Sequence, residues 1–201
     1  MAIRKIARMG HPVLRVPARD LTMKEIQSAE TERLIDDMVE TMHEYGGIGL
    51  AAPQIHESVS VAIIEYEEGG ERYPDGKSAK SKDGALTELG LSVFINPKIT
   101  VLEKKEQSYW EGCLSVPDIR GLVHRPRKIR VDYQDLSGKK KSLIAEGFLA
   151  TVFQHELDHL VGTLFVDRIR AEPGTTPIAF IDEYQKYLVP EADSEIGELA
   201  D

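Results

Sequence analysis

Cysteine is almost missing from this 201-residue chain. Cys113 stands alone, which excludes an internal disulfide and leaves a thiol that is either a small buried hydrophobe or a residue with chemistry to perform. Long apolar runs are missing too. The longest, such as residues 59–64, fall far short of the roughly 20 residues a membrane-spanning helix needs. The first dozen residues are broken by Arg4, Lys5 and Arg8 and hold no signal-peptide core, so a cytoplasmic protein without a membrane partner is expected. Positive charge is in deficit. Twenty-five Lys plus Arg against 34 Asp plus Glu give a net charge of −9, which argues against a phosphate-binding surface and a specific nucleic-acid partner. The 41% of hydrophobic residues suffices for one genuine core and excludes disorder.

The apolar pattern organises the chain into one catalytic domain over residues 1–190 and an acidic, frayed tail over 191–201. Gly10, Pro12 and Pro17 mark an irregular arm. Leu34, Ile35, Met38, Val39 and Met42 recur at helical spacing within 31–45, and Gly46 and Gly47 stop that helix. Residues 58–66 read as a strand, and residues 67–90, rich in Gly and Lys, as a surface insertion or flap. Strands are predicted at 91–95 and 99–106 around a turn at Asn96-Pro97, and a hairpin about Asp135-Leu-Ser-Gly138. From 148 to 160 the period is helical with little polar surface, which makes that helix central. A last amphipathic helix is predicted over 176–188. These elements point to an α+β fold: antiparallel sheets packed around a central helix, with an N-terminal helix outside and a C-terminal helix last.

On the central helix, His155-Glu-Leu-Asp-His159 puts two imidazoles four residues apart on one face, where they can grip one metal ion. Glu156 lies about 100° round, near enough to act on water at that ion without being a ligand. His155 shares its row with Phe148 and Val152, so the pair faces an apolar interior where an unpaired imidazole is costly. A catalytic site of this kind needs a third protein ligand. The spacing that would place another histidine downstream meets Phe165 instead, leaving Glu172, Glu183 and Cys113 as candidates. A thiolate would complete a His2Cys set suited to softer divalent ions, iron(II) among them. Gly47-x-Gly-x-x-Ala52 also fits a dinucleotide fingerprint, but a helix precedes it and Pro53 would interrupt the helix that must follow.

Three segments, Gly47-Ile-Gly-Leu-Ala-Ala-Pro-Gln54, Glu111-Gly-Cys-Leu-Ser115 and Gln154-His-Glu-Leu-Asp-His-Leu-Val-Gly162, together resemble peptide deformylase. The likeness runs from Arg8-Met-Gly-His-Pro-Val-Leu14 to about Asp167. It implies a bacterial, cytoplasmic hydrolase of protein biosynthesis that removes the N-formyl group from the formylmethionine of nascent peptides and releases formate. It implies that Cys113, His155 and His159 are the metal ligands and Glu156 the acid and base, with Gln54 and the backbone N–H of Leu114 as oxyanion donors. By the same resemblance Gly47, Ile48 and Gly49 let the peptide main chain approach, while Ile48, Phe148, Thr151 and Val152 surround the methionine side chain. The native ion would be iron(II), one per chain, replaceable by zinc, nickel or cobalt. Two features depart from the family: the insertion is longer than the compact bacterial pattern, and Thr151 is more polar than the Ile or Val expected there. Some members dock on the ribosome through a basic C-terminal helix, a mode to which the acidic tail lends no support. Two other classes compete. A general metalloprotease would depend on Glu172 or Glu183 rather than Cys113, and a redox sensor signalling through Cys113 would need neither Glu156 nor Gln54.

Overall fold

The computed structural model describes residues 2–66, 89–171 and 173–184. The predicted insertion, apart from Leu89 and Gly90, lies outside the described residues, as do Glu172, the end of the predicted last helix and the acidic tail. The short helix α1 (Met23–Ile26) and the 16-residue α2 (Ala29–Glu44) come first, each opened by a side-chain cap, Thr22 with Glu25 and Ser28 respectively. Strands β1 (Gly49–Ala51), β2 (Val61–Tyr66), β3 (Leu89–Cys113), β4 (Val116–Gln134) and β5 (Lys140–Glu146) follow. Then come α3 (Phe148–Leu160), β6 (Ile178–Phe180) and α4 (Ile181–Tyr184). The strands form one antiparallel sheet in the order β1-β2-β3-β4-β5, with β6 also paired to β4.

Strand β2 shows why the sheet sits between two helices. Its side chains alternate, so Ala62, Ile64 and Tyr66 join the core under α3 while Val61 and Ile63 join the core under α2. A strand covered on both faces reads as a continuous apolar run, and residues 61–64 do. Helix α3 is buried along its whole length except for Phe148. Its start needs Gly147, which takes φ 65° and ψ −143°, a combination closed to side-chain-bearing residues. No helix among the described residues is long and apolar enough to cross a membrane.

The predicted α+β layout with a central and an outer helix therefore stands, with three corrections. The expected sheets are a single sheet. Asn96-Pro97 is no turn between two strands: Asn96 takes φ 50° at a shift of register between Ile95 and Lys98, and β3 runs through it. The side chain of Asn96 holds the chain there, accepting from Leu21 N–H at 2.8 Å and donating to Leu21 O at 2.8 Å and Gln134 Oε1 at 2.9 Å. Finally, the predicted helix over 176–188 begins as strand. Ile178–Phe180 pair with Gly121–Ile119, because a free sheet edge offers three apolar-flanked residues backbone partners that a one-turn helix cannot.

Candidate metal centre

Helix α3 brings His155 and His159 to its inner face, and the β3–β4 hairpin brings Cys113 opposite them. Cys113 pairs with Val116 as the last rung of that hairpin, so Leu114 and Ser115 form its two-residue turn. The ligand atoms of Cys113, His155 and His159 all lie within 4.8 Å of one another, the only such cluster among the described residues. Glu183, exposed on α4, is not part of it. Two ligands of a tetrahedral ion stand about 3.5 Å apart when their bonds are about 2.3 and 2.0 Å. Cys113 Sγ and His159 Nε2 are 3.3 Å apart, so the donors fit one divalent ion.

The electrostatics point the same way. Burial pushes the Cys113 thiol up, but His159 and His155 beside it outweigh burial and hold it well below its ordinary value. Burial pulls His155 down, while Cys113 and Glu111 raise it well above the ordinary imidazole range. A thiolate against a cationic imidazole is the arrangement a divalent cation replaces by displacing the proton. Glu156 moves the opposite way from a surface carboxylate. Burial raises it, and the charges of His155 and His159 only partly offset the rise. Its Oε2 is buried without a hydrogen-bond partner among the described residues, as is Nδ1 of His159. A buried carboxyl with a raised pKa and an open oxygen is suited to carrying a proton.

Gln54 occupies a 3₁₀ turn (Ala52–Ile55) directly after β1, fully buried. Its Oε1 accepts from Ala51 N–H at 2.8 Å, which turns Nε2 towards Cys113 Sγ and Ser115 Oγ, each at 3.4 Å. The irregular N-terminal arm ties this turn to the hairpin. Ala7 N–H donates to Gln54 O and Met9 N–H to Ser115 O, both at 2.7 Å, and Arg8 Nη1 donates to Leu114 O at 2.5 Å. Gly49 is required by proximity: a Cβ there would stand 2.6 Å from Glu156 Oε1 and 2.7 Å from Glu156 Cδ.

A cleft of about 300 Å³ collects Gly47, Ile48, Gly49, Gln54, Cys113, Leu114, His155 and Glu156. Phe148, Thr151 and Val152 do not line it. Thr151 accepts from Gln107 Nε2 at 3.2 Å, Phe148 packs on the rings of Tyr66 and Tyr109, and Val152 lies in the core against which Ile48 packs.

Sequence reasoning gave no role to the residues behind the ligands. Glu111 Oε2 is 2.7 Å from His155 Nδ1, and Arg125, itself buried, donates to Glu111 at 2.5 and 3.0 Å and to Asp158 at 2.8 Å. Arg168 closes the chain with two bonds to Asp158, at 2.7 and 3.2 Å. Burial pushes the Glu111 carboxyl up, but its bonds to His155 and Arg125 lower it below the ordinary range. Such a carboxylate fixes the imidazole's tautomer and orientation. Two signals were present: Glu111 opens the segment holding the lone thiol, and Asp158 lies three residues after His155 on the same buried face.

Residues 3–173 match the family model described as polypeptide deformylase. The chain is 42% identical over 171 residues to a peptide deformylase of Leptospira biflexa, covering 85% of this chain and 90% of that protein. It is 39% identical over 191 residues to peptide deformylase 2 of Pseudomonas syringae pv. tomato, covering 95% and 99%. Among solved structures, the class I type b peptide deformylase of Acinetobacter baumannii with Met-Ala-Ser bound superposes with a TM-score of 0.74 at 36% identity, over 83% of this chain and 98% of that one. The peptide deformylase of Thermotoga maritima gives 0.70 at 33% identity, over 85% and 100%.

Proposed function

The chain belongs to the polypeptide deformylase family, metal-dependent hydrolases that take the N-formyl group from new peptides, and on that premise we propose how its own residues do so. Cys113, His155 and His159 hold one divalent ion, iron(II) natively. The carrying observation is that their ligand atoms converge within 4.8 Å, with Cys113 and His155 lining the cleft that also holds Glu156 and Gln54. When bound, the ion supplies Lewis acidity and lowers the pKa of its water from 15.7 to about 7.

The remaining steps belong to side chains and backbone. The edge strand β1, reached through Gly47, Ile48 and Gly49, presents main-chain groups to an extended formylmethionyl peptide, which docks as an added strand. Ile48, packed with Phe148 against the core that holds Val152, faces the methionine side chain. Glu156 accepts the proton of the attacking water and delivers it to the departing amine, a transfer suited to its raised pKa. The Gln54 amide, aimed by its bond from Ala51, and the Leu114 N–H donate to the formyl oxygen as it gains charge. One such donor is worth about 3–4 kcal/mol. The products are formate and a free N-terminal methionine. Where formylated initiation supplies the substrate, the place of action is the bacterial cytoplasm.

The decisive experiment measures formate from a formyl-Met tripeptide with anaerobically prepared protein, using the acetylated peptide as control. Formate from the first and no cleavage of the second is expected; equal cleavage of both would sink the reading. Cys113→Ser is expected to lose metal or activity. Iron-loaded protein is expected to decay in air faster than nickel-loaded protein, and equal lifetimes would exclude thiolate-bound iron.

A further inference from the structure

The cleft has one wall that the three matching segments do not provide. Strand β6 lies beyond residue 173, where the match to the family model ends, and Ile181 directly after it lines the same cleft as Cys113, Leu114 and Glu156. Its placement is fixed from several sides. Ile178, Ala179 and Phe180 pair with Gly121, Arg120 and Ile119, and Leu122 N–H donates to Pro177 O at 2.8 Å. Three residues on, the Tyr184 ring sits 5.8 Å from the Arg120 guanidinium and 6.1 Å from the Trp110 ring, clamping the segment to the hairpin that bears Cys113.

Ile181 is 39% exposed, and Val116 and Ile119 line the cleft beside it. The same cleft is lined by the glycine-rich edge at Gly47–Gly49. A peptide extended along that edge turns every second side chain to the same face, within reach of this apolar wall. We infer that Ile181 is a specificity-determining residue that selects a large apolar side chain at whichever of the two residues following formylmethionine faces this wall. The inference rests on the deformylase reading and extends it. An isoleucine left two-fifths open at a cleft rim gains little for the fold, but covering it with a leucine side chain removes apolar surface from water on both partners.

The test compares formate release from formyl-Met-Leu-Leu and formyl-Met-Ser-Ser by the metal-loaded full chain, its Ile181→Ala and Ile181→Asp variants, and a Phe180→Ala control. Phe180 is 66% exposed and does not line the cleft. Wild-type protein is expected to favour the leucine peptide by about tenfold in kcat/KM, the worth of one well-covered aliphatic contact. Ile181→Ala should cut that ratio to about twofold, mainly through KM, with kcat little changed. Ile181→Asp should abolish the preference, and Phe180→Ala should keep it. A structural role alone would lower both peptides by one factor. That result, or equal wild-type turnover of both peptides, overturns the inference and leaves the deformylase reading intact; no formate from either peptide overturns both.

Discussion

The two sides of helix α3 are equally hidden from water and opposite in chemistry. Leu149, Phe153 and Leu157 lie in the core with Ile64, Phe94 and Ile129, where any well-shaped apolar neighbour serves. His155, Asp158 and His159, with Glu156 beside them, lie among groups that must be particular residues: Glu111 for His155, Arg125 and Arg168 for Asp158, Cys113 for His159. The apolar side tolerates exchange because dispersion and burial have no direction. The polar side tolerates little, because each buried charge costs several kcal/mol unless its partner stays in place.

The comparison is sharpest at Glu156. Replacing it by alanine should cost about 10³- to 10⁴-fold in kcat while bound metal and melting temperature hold, since it is no ligand. Near-normal turnover would remove it as acid and base. Arg125→Ala comes next. It leaves Glu111 and Asp158 buried without their shared cation, so chemical unfolding should show a loss of about 3–5 kcal/mol. The same change should be visible on acidification. Because bonding lowers Glu111 overall, its contribution is complete above the ordinary carboxylate pKa of about 4.3 and is lost as pH falls below it. Without Arg125 that loss should start at higher pH, moving the acid-unfolding midpoint up in a circular dichroism titration. On the apolar side, Leu157→Met should cost under about 1.5 kcal/mol and leave formate release intact. A loss equal to that of Arg125→Ala would erase the distinction between the two sides. The smallest effect belongs to the surface pair Arg170–Glu106, where Arg170→Ala should change stability by under about 1 kcal/mol.

Helix α3 was predicted to the residue, since a 3.6-residue period closed by Gly162 leaves little freedom. The hairpin at Asp135–Gly138 was equally legible, and Asp135 caps its own turn by accepting from Ser137 and Lys139 N–H. The unbroken β3 was not. Asn-Pro signals a turn locally, and only the bonds from Asn96 to Leu21 and Gln134 make it a bulge. Strand β6 escaped for the same reason: three residues carry no period of their own, and the edge they join lies some 60 positions earlier in the chain.

The sequence by itself determined the two imidazoles on one helical face and the carboxyl beside them, because i, i+4 spacing on a helix is a local geometric fact. It named Cys113 as one candidate third ligand and, by resemblance, as the ligand itself. Only the tertiary structure brought the thiol to the imidazoles. Only there did Glu111, Arg125, Asp158 and Arg168 join into one buried chain of charge, and an isoleucine from the end of the described chain reach the cleft. Glu111 and Cys113 meet the two imidazoles across 44 and 46 residues of sequence, and Gln54 meets Cys113 across 59, through sheet register and packing, which no local pattern encodes.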